Sequence, residues 1–527
     1  MRNFYIILTI SLIVSTAKAQ DFQIDWQKSI GGNDNDNLTI LKATTDGGHI
    51  AGGLSLSNIS GDKTENSLGA QDYWVVKMDA SGMVEWDDTI GGNNLDQLID
   101  LVPTNDGGYI LAGSSNSNIS GDKTENSIGF TDYWLVKLNA TGAIEWQNTI
   151  GGSDPDFLVS VSETNDGGFF LAGYSRSNVS GDKTENSKGG LDYWVVKVNN
   201  LGVVQWDRTI GGDENEFLQA AIQTIDGGFL FGGVSYSNAS GDKSENRMGV
   251  SDFWLVKLNA SGQLEWENTI GGDGADVLTS IIEATDGGFV IGGESDSDIS
   301  GDKTEDAIGE TDMWVLKTDN TGNVLWQNTI GGNEEEIVNS IEKTADGGFI
   351  LGGFSNSNIS GDKTEDARGS YDFWIVKIKD TGTIQWDKTI GGSEDDRLHS
   401  IYENNSGGYV LGGYSFSDIS GDKTESSVGG ADYWIMELSE VLGIEDTSVA
   451  ASAVIFPNPV HENVRISLDE GLIDEIKVYS LKGQMLKELN ALNTNSVSLD
   501  ISEFTSGAYF LQIFSEGTKT TKKLIKI

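Results

Sequence analysis

Tryptophan returns every sixty residues along this chain, at Trp26, Trp86, Trp146, Trp206, Trp266, Trp326 and Trp386. A second series keeps the same step, at Trp74, Trp134, Trp194, Trp254, Trp314, Trp374 and Trp434, and together the two use all 14 tryptophans. A fixed period of this size marks a repeat architecture and constrains the fold before any motif does. Seven near-equal units also present seven near-equal surfaces, which argues against a conventional one-site enzyme.

One unit shows what repeats. Leu98 to Thr104 reads as a short strand, and Asn105-Asp106-Gly107-Gly108 as a tight turn, because Asp-Gly supplies the positive φ a hairpin requires. Tyr109 to Ser114 is the second strand, followed by a long polar loop. Tyr133 to Asn139 is the third strand, Ala140-Thr141-Gly142 turns the chain, and Ala143 to Ile150 is the fourth. Four short strands joined by two tight hairpins is the pattern of a β-propeller blade. A β-solenoid has shorter coils, and helical repeats need a 3.6-residue period that is absent. The tryptophans read as packing between blades, with sugar-stacking platforms as the alternative.

The fourth-strand segment occurs seven times, beginning with Phe22 to Ile30 before any first strand. The block of first to third strands also occurs seven times, ending at Tyr433 to Leu438 with no fourth strand after it. The expectation is an all-β, seven-bladed propeller whose N-terminal strand completes the last blade and removes two free edges. In the alternative register each unit starts with its tryptophan strand and the ring has no such stitch. Short hairpins and the short crossover favour the first.

Two connections fall on one rim of such a ring. The crossover between blades carries an acid in every copy: Asp36, Asp96, Asp156, Glu216, Asp276, Glu336 and Asp396. The long loop repeats Ser-Gly-Asp-Lys-Thr/Ser-Glu, placing Asp62 and Glu65 in the first copy. The later copies place Asp122 and Glu125, Asp182 and Glu185, Asp242 and Glu245, Asp302 and Glu305, Asp362 and Glu365, and Asp422 and Glu425. Neighbouring positions vary freely, as in Ala70-Gln71 against Phe130-Thr131. The crossover acids read either as acceptors of the crossover's own backbone N–H groups or as an acidic ring that binds cations near the central channel. Three roles compete for the loop: satisfying its own polar groups, binding Ca²⁺ through oxygen donors, or binding an extracellular polysaccharide once per blade with gain from avidity. For calcium the spacing differs from the twelve-residue helix-loop-helix pattern, and Lys63 would compete with the cation.

Formal net charge is −47, and the segment beyond residue 450 is nearly neutral, so the acidity lies in the repeats. This argues against nucleic acid, whose binding needs a cationic surface. There is no cysteine, and the three histidines (His49, His399, His461) occupy unrelated positions, leaving little for a thiolate, zinc or triad chemistry. Residues 1–19 read as a secretory signal, with Arg2, an apolar core from Tyr5 to Val14, and Ala17-Lys18-Ala19 as the cleavage site. No transmembrane anchor is expected after its removal. No copy stands out as a catalytic blade; the largest departures are Glu437, where others carry Lys77 or Lys137, and Met313, where most carry Tyr.

After Glu440 the period stops. Residues 441–452 read as a linker, and 453–527 as a small β-sandwich. This tail opens Pro457-Asn458-Pro459 and continues Tyr479-Ser480-Leu481-Lys482-Gly483. Gly507-Ala508-Tyr509 follows, and Lys522-Lys523 begins the last residues. In that order these motifs resemble the type A C-terminal sorting domain of the bacterial type IX secretion system. The resemblance implies a Bacteroidetes-type source, export to the periplasm by the signal, and passage across the outer membrane by the secretion machinery, ending in surface attachment or release. The repeats at 20–440 are similar to propeller repeats of secreted proteins in that phylum, through Asp-Gly-Gly-Tyr/Phe and Asp-Tyr-Trp-Leu-Val-Lys, and no activity follows from that. The expected role is a non-enzymatic binding, adhesion or structural module, with a lectin-like or calcium-binding propeller as the alternative and a glycan hydrolase or lyase behind both.

Overall fold

The computed structural model describes residues 22–440, 453–468, 472–480, 485–490, 492–515 and 518–527. The secretory signal, the linker and the Leu481-Lys482-Gly483 turn lie outside the described residues. The chain divides into two compact units at Glu440/Val441, where the sixty-residue period ends.

Seven four-stranded antiparallel sheets build the first unit. In the first blade the strands are Asp36–Ala43, His49–Ser55, Asp72–Met78 and Val84–Ile90, and the other blades repeat them at sixty-residue steps. The last blade takes Asp396–Glu403, Tyr409–Ser415 and Asp432–Glu440 from the end of the repeats. Its fourth strand is Phe22–Ile30, paired antiparallel to Asp432–Glu440 from Phe22 opposite Glu440 to Ile30 opposite Tyr433. The stitched register is therefore the real one. Closure follows in the core too: Leu38, Leu41 and Trp74 of the first blade pack with Val410, Tyr433 and Ile435 of the last.

Both tryptophan series pack between blades. The third-strand series is fully buried. Trp134 lies 4.9 Å from the ring of Tyr73 in the preceding blade, and the Tyr73 hydroxyl donates to the Trp134 carbonyl at 3.1 Å. Six of the fourth-strand series lie under the next blade's hairpin turn, and Trp386 packs on Phe22 and Tyr409. At Gly82, whose φ is +76°, a Cβ would come within 2.6 Å of the Trp26 ring, so both backbone and neighbour demand glycine. Removing one such buried indole costs about 3–5 kcal/mol.

In the tail, one sheet holds Val454–Phe456, Asn463–Ser467 and Ser496–Asp500, and the other holds Glu475–Ser480, Met485–Leu489, Gly507–Ser515 and Thr518–Lys526. Val464, Ile466 and Leu499 of the first pack with Ile476, Val478, Leu511, Ile513 and Leu524 of the second, a small sandwich. Asn458 explains the Pro-Asn-Pro motif physically. Its Nδ2 donates to the Lys523 carbonyl and its Oδ1 accepts from Ile525 N–H, both at 2.8 Å, clamping the last strand.

Candidate functional site

The long loop and the crossover meet at one end of each blade. Ser60 and Lys63 close a tight turn, with Lys63 N–H donating to Ser60 O at 3.0 Å. Gly61 takes φ +55° inside it, and a Cβ there would stand 2.2 Å from the Gly31 carbonyl. Asp62 N–H donates to that carbonyl at 2.9 Å, while Gly31 N–H donates back to Asp62 Oδ2 at 3.2 Å. Ser60 Oγ accepts from Asn33 N–H at 2.9 Å, and Asn66 Oδ1 accepts from Ile59 N–H at 3.1 Å. Glu65 reaches the fourth strand of its own blade and accepts from Thr89 N–H at 3.1 Å. Lys63 is buried, its Nζ bonded to Thr89 Oγ1 and 5.2 Å from the centre of the Trp74 indole.

These contacts recur around the ring. Asp122, Asp182, Asp242, Asp302, Asp362 and Asp422 accept from the glycines Gly91, Gly151, Gly211, Gly271, Gly331 and Gly391 at 3.1–3.3 Å. Glu125, Glu185, Glu245, Glu305, Glu365 and Glu425 accept from strand N–H groups at 2.7–3.1 Å. The loop core repeats because it fastens each loop to the crossover and to the fourth strand.

Of the two readings of the crossover acids, the structure shows the backbone-accepting one and corrects the displayed ring. Asp36, Asp96, Asp156, Glu216, Asp276, Glu336 and Asp396 are fully buried rather than displayed on the rim. Asp36 Oδ2 accepts from Gly32 N–H at 2.6 Å and from Ser57 Oγ at 2.9 Å. Each faces a second buried aspartate, the one that starts the preceding third strand. Asp72 faces Asp96 and holds Ser67 Oγ, Leu68 N–H and Gly69 N–H on its Oδ2. Burial raises the pKa to about 6 at Asp156, Asp372 and Asp432. Burial likewise lowers Lys123, Lys183 and Lys363 to about 8, against the pull of the nearby carboxylates. Among the described residues no group of three or more His, Asp or Glu side chains is arranged to hold a metal. Of the oxygens considered for Ca²⁺, Asp62 Oδ2, Glu65 Oε2 and Asp72 Oδ2 accept backbone N–H groups, while Asp72 Oδ1 is buried without a hydrogen-bond partner, as is Asp36 Oδ1 on the crossover.

What remains on the surface of this face is different. Ile59, Ile119, Val179, Ile299, Ile359 and Ile419 are 57–64 % exposed at the loop tips, with Ala239 at the seventh position. Exposed Asn58, Thr64, Glu65 and Asn66 flank Ile59. Sequence reasoning attended to the loop's charges and passed over this aliphatic ring, although it lies inside the same repeated segment.

Two asymmetries also escaped. Asp88 stands where other copies carry Lys28, Asn148, Arg208, Asn268, Asn328 and Lys388. Elsewhere a cation meets the loop glutamate, as in Lys28–Glu425 at 2.9 Å and Lys388–Glu365 at 2.7 Å. Asp88 instead meets Glu65, and burial together with that like charge raises its pKa to about 7. The other asymmetry is the central channel, a cavity of about 1050 Å³ walled by the seven first strands. One of its lining positions varies widely between copies, held by Lys42, Val102, Ser162, Ile222, Ile282, Glu342 and Tyr402. Both signals were present in the aligned repeats, but only the ring shows that residues sixty apart share one space.

Glu437 proves to be part of the stitch. It accepts from Trp26 Nε1 at 2.6 Å and binds Asn404 Nδ2. In the first blade the buried Lys77 bridges Asp46 and Glu85 at 3.0 Å each. The last blade has Ser406 in place of Asp46, so the charge is reversed where its partner is gone.

Residues 454–527 match the family described as the secretion system C-terminal sorting domain. The chain thus carries a type IX sorting tail behind its propeller, which directs export to the medium or the cell surface and implies recognition by that machinery. Among the described residues no helix is long and apolar enough to cross a membrane. The regulatory protein FlaEY of Caulobacter vibrioides is 25 % identical over 269 residues, covering 49 % of this chain and 26 % of that protein. An ulvan lyase of Nonlabens ulvanivorans is 25 % identical over 145 residues, covering 26 % of this chain and 27 % of the lyase. The chain therefore spans about a quarter of the length of these curated relatives. Among solved structures, a puromycin hydrolase aligns over 86 % of this chain and 62 % of its own at 11 % identity, with a TM-score of 0.44.

Proposed function

We propose that this protein is a non-enzymatic, surface-displayed binding module that holds an extracellular polysaccharide through the seven-fold loop face. The observation that carries the reading is the ring of exposed aliphatic side chains at 57–64 % exposure, each flanked by hydroxyl and carboxylate groups and most by an amide as well. Apolar side chains cover the C–H faces of sugars, and the flanking polar groups take their hydroxyls. Each site alone is small and weak. Six on one rigid ring bind a repeating polymer with avidity gains of about 10²–10⁴ over a single site. Catalysis by contrast needs one asymmetric set of groups, and the loop face repeats instead.

The test replaces Ile59, Ile119, Val179, Ile299, Ile359 and Ile419 by Ser together. These positions are exposed, so each change shifts stability by about 0.5 kcal/mol or less. Wild type is expected to bind at least one immobilised polysaccharide from a panel that includes ulvan, the substrate named for one relative, and the variant to lose that binding while keeping its melt. A wild type that binds no member of the panel, or a variant that binds equally well, defeats the reading. Release of soluble sugar from any bound polymer overturns the non-enzymatic part.

A further inference from the structure

The repeats differ in the channel, and its wall holds two opposite charges that feel each other at a distance without a direct hydrogen bond or ion pair. Lys42 from the first blade and Glu342 from the sixth occupy the same strand position, which is uncharged in the other five blades. Among the described residues neither side chain makes a hydrogen bond or an ion pair. A partly buried charge without a partner is costly, and natural structures pair such groups. Asp100, also on the wall, does not supply the missing contact. Its Oδ2 accepts from Val161 N–H at 2.9 Å and its Oδ1 from Leu101 N–H at 2.8 Å, so it serves the neighbouring strand. Burial raises the pKa of both Asp100 and Glu342, and Lys42 is near enough to offset part of it in each.

Other polar groups on this wall are already committed. Thr39 Oγ1 donates to the Leu98 carbonyl at 3.0 Å, Asn339 Nδ2 donates to the Leu398 carbonyl at 2.8 Å, and Ser400 Oγ accepts from Leu41 N–H at 3.0 Å. These bonds stitch the first strand of the first blade to that of the second, the sixth to the seventh, and the seventh to the first. Against that background two further atoms stand out as buried and unbonded, His399 Nε2 and Ser162 Oγ, both on channel-lining residues. Burial, with Arg397 adding to it, lowers the His399 pKa to about 4, so the ring is neutral near pH 7 and offers a hydrogen bond rather than a charge.

We infer that the central channel binds a small zwitterion, an α-amino acid or short peptide, with its carboxylate on Lys42 and its ammonium on Glu342. A ligand of a single charge leaves one wall charge unpaired, and a neutral sugar leaves both. A ligand with both charges satisfies both, and His399 and Ser162 remain to hydrogen-bond what lies between. The cavity of about 1050 Å³ has room for such a molecule with water around it. This site is separate from the loop face and does not depend on the polysaccharide reading.

The test is calorimetric titration of the full chain with glycine, L-lysine, L-glutamate and diglycine, with ethylamine, acetate and glucose as controls. Lys42→Ile and Glu342→Ile are the variants, since Ile222 and Ile282 hold the same position in other blades and each removes an unpaired charge. At least one zwitterion is expected to saturate the protein below about 10 mM, and each variant to weaken it about tenfold or more. Controls should bind at least about tenfold more weakly than that zwitterion. No saturation by any of the four zwitterions, equal binding by a control, or binding unchanged in both variants overturns the inference. The six-fold serine variant of the loop face should bind the same zwitterion as wild type, which separates failure here from failure there.

Discussion

Replacing Asp88 by Asn should stabilise the protein, and only above mildly acidic pH. Asp88 meets Glu65 where every other blade places a cation or an amide. Its pKa stands raised from 3.8 to about 7, by burial first and by Glu65 second. A raised carboxyl pKa gives stability that is fully present below the unfolded value near 4 and is lost as pH rises through 7. Three units represent about 4 kcal/mol, but solvent reaches part of this pair and screens it, leaving about 1–2 kcal/mol at pH 8. Asn removes that loss and copies a native solution, since Asn148 donates to the Gly202 carbonyl at 2.6 Å and Asn328 to the Gly382 carbonyl at 3.0 Å. With an unfolding entropy of about 2 cal/mol/K per residue over this unit, the gain in Tm is about 1–2 °C at pH 8 and near zero at pH 4.5. Scanning calorimetry of both proteins at pH 4.5, 6 and 8 measures it. A gain of the same size at every pH, or none at pH 8, would refute the electrostatic reasoning.

Lys63→Met tests whether the loop core is structural: it keeps most of the buried volume but removes the charge between Asp36 and Asp72. Breaking such a buried arrangement costs about 3–5 kcal/mol, seen as a Tm lowered by about 3–6 °C; an unchanged melt would refute the structural role. Tyr133→Phe deletes the 2.9 Å bond from its hydroxyl to the Trp194 carbonyl and should cost about 1 kcal/mol in chemical denaturation. Phe253 and Phe373 already occupy this position in other blades, so a loss much above 2 kcal/mol would contradict the packing account. Deleting Phe22–Ile30 exposes the Asp432–Glu440 strand as an edge and removes Trp26 and Ile30 from the closing core. The product is expected to self-associate or lose its cooperative melt by light scattering and calorimetry; a monomer with wild-type Tm would show that the stitch is dispensable.

Much of the fold was legible because the signals are local and repeated seven times. Asp-Gly-Gly turns set hairpin ends, alternating apolar runs set strands, and counting fourth strands predicted that Phe22–Ile30 closes the ring. The tail was legible through motifs such as Pro457-Asn458-Pro459, whose asparagine clamps the last strand. The site was less so. An invariant acid reads the same whether it lines a rim or lies buried, and Asp36 and its six counterparts proved buried against backbone N–H groups. Which donors stand beside a carboxylate depends on how the crossover lies against the long loop.

By itself, the sequence determined the period, the blade and the closing strand, since backbone turn chemistry and apolar alternation act over a few residues. Only the tertiary structure decided which repeated residues are exposed, and which singular ones share a space. The ring turns Lys63 inward onto Trp74, leaves Ile59 outside, and brings Lys42, Glu342 and His399 from distant blades to one channel. Exposure and juxtaposition belong to the closed ring, in which each blade's surroundings are set by neighbours sixty or more residues away.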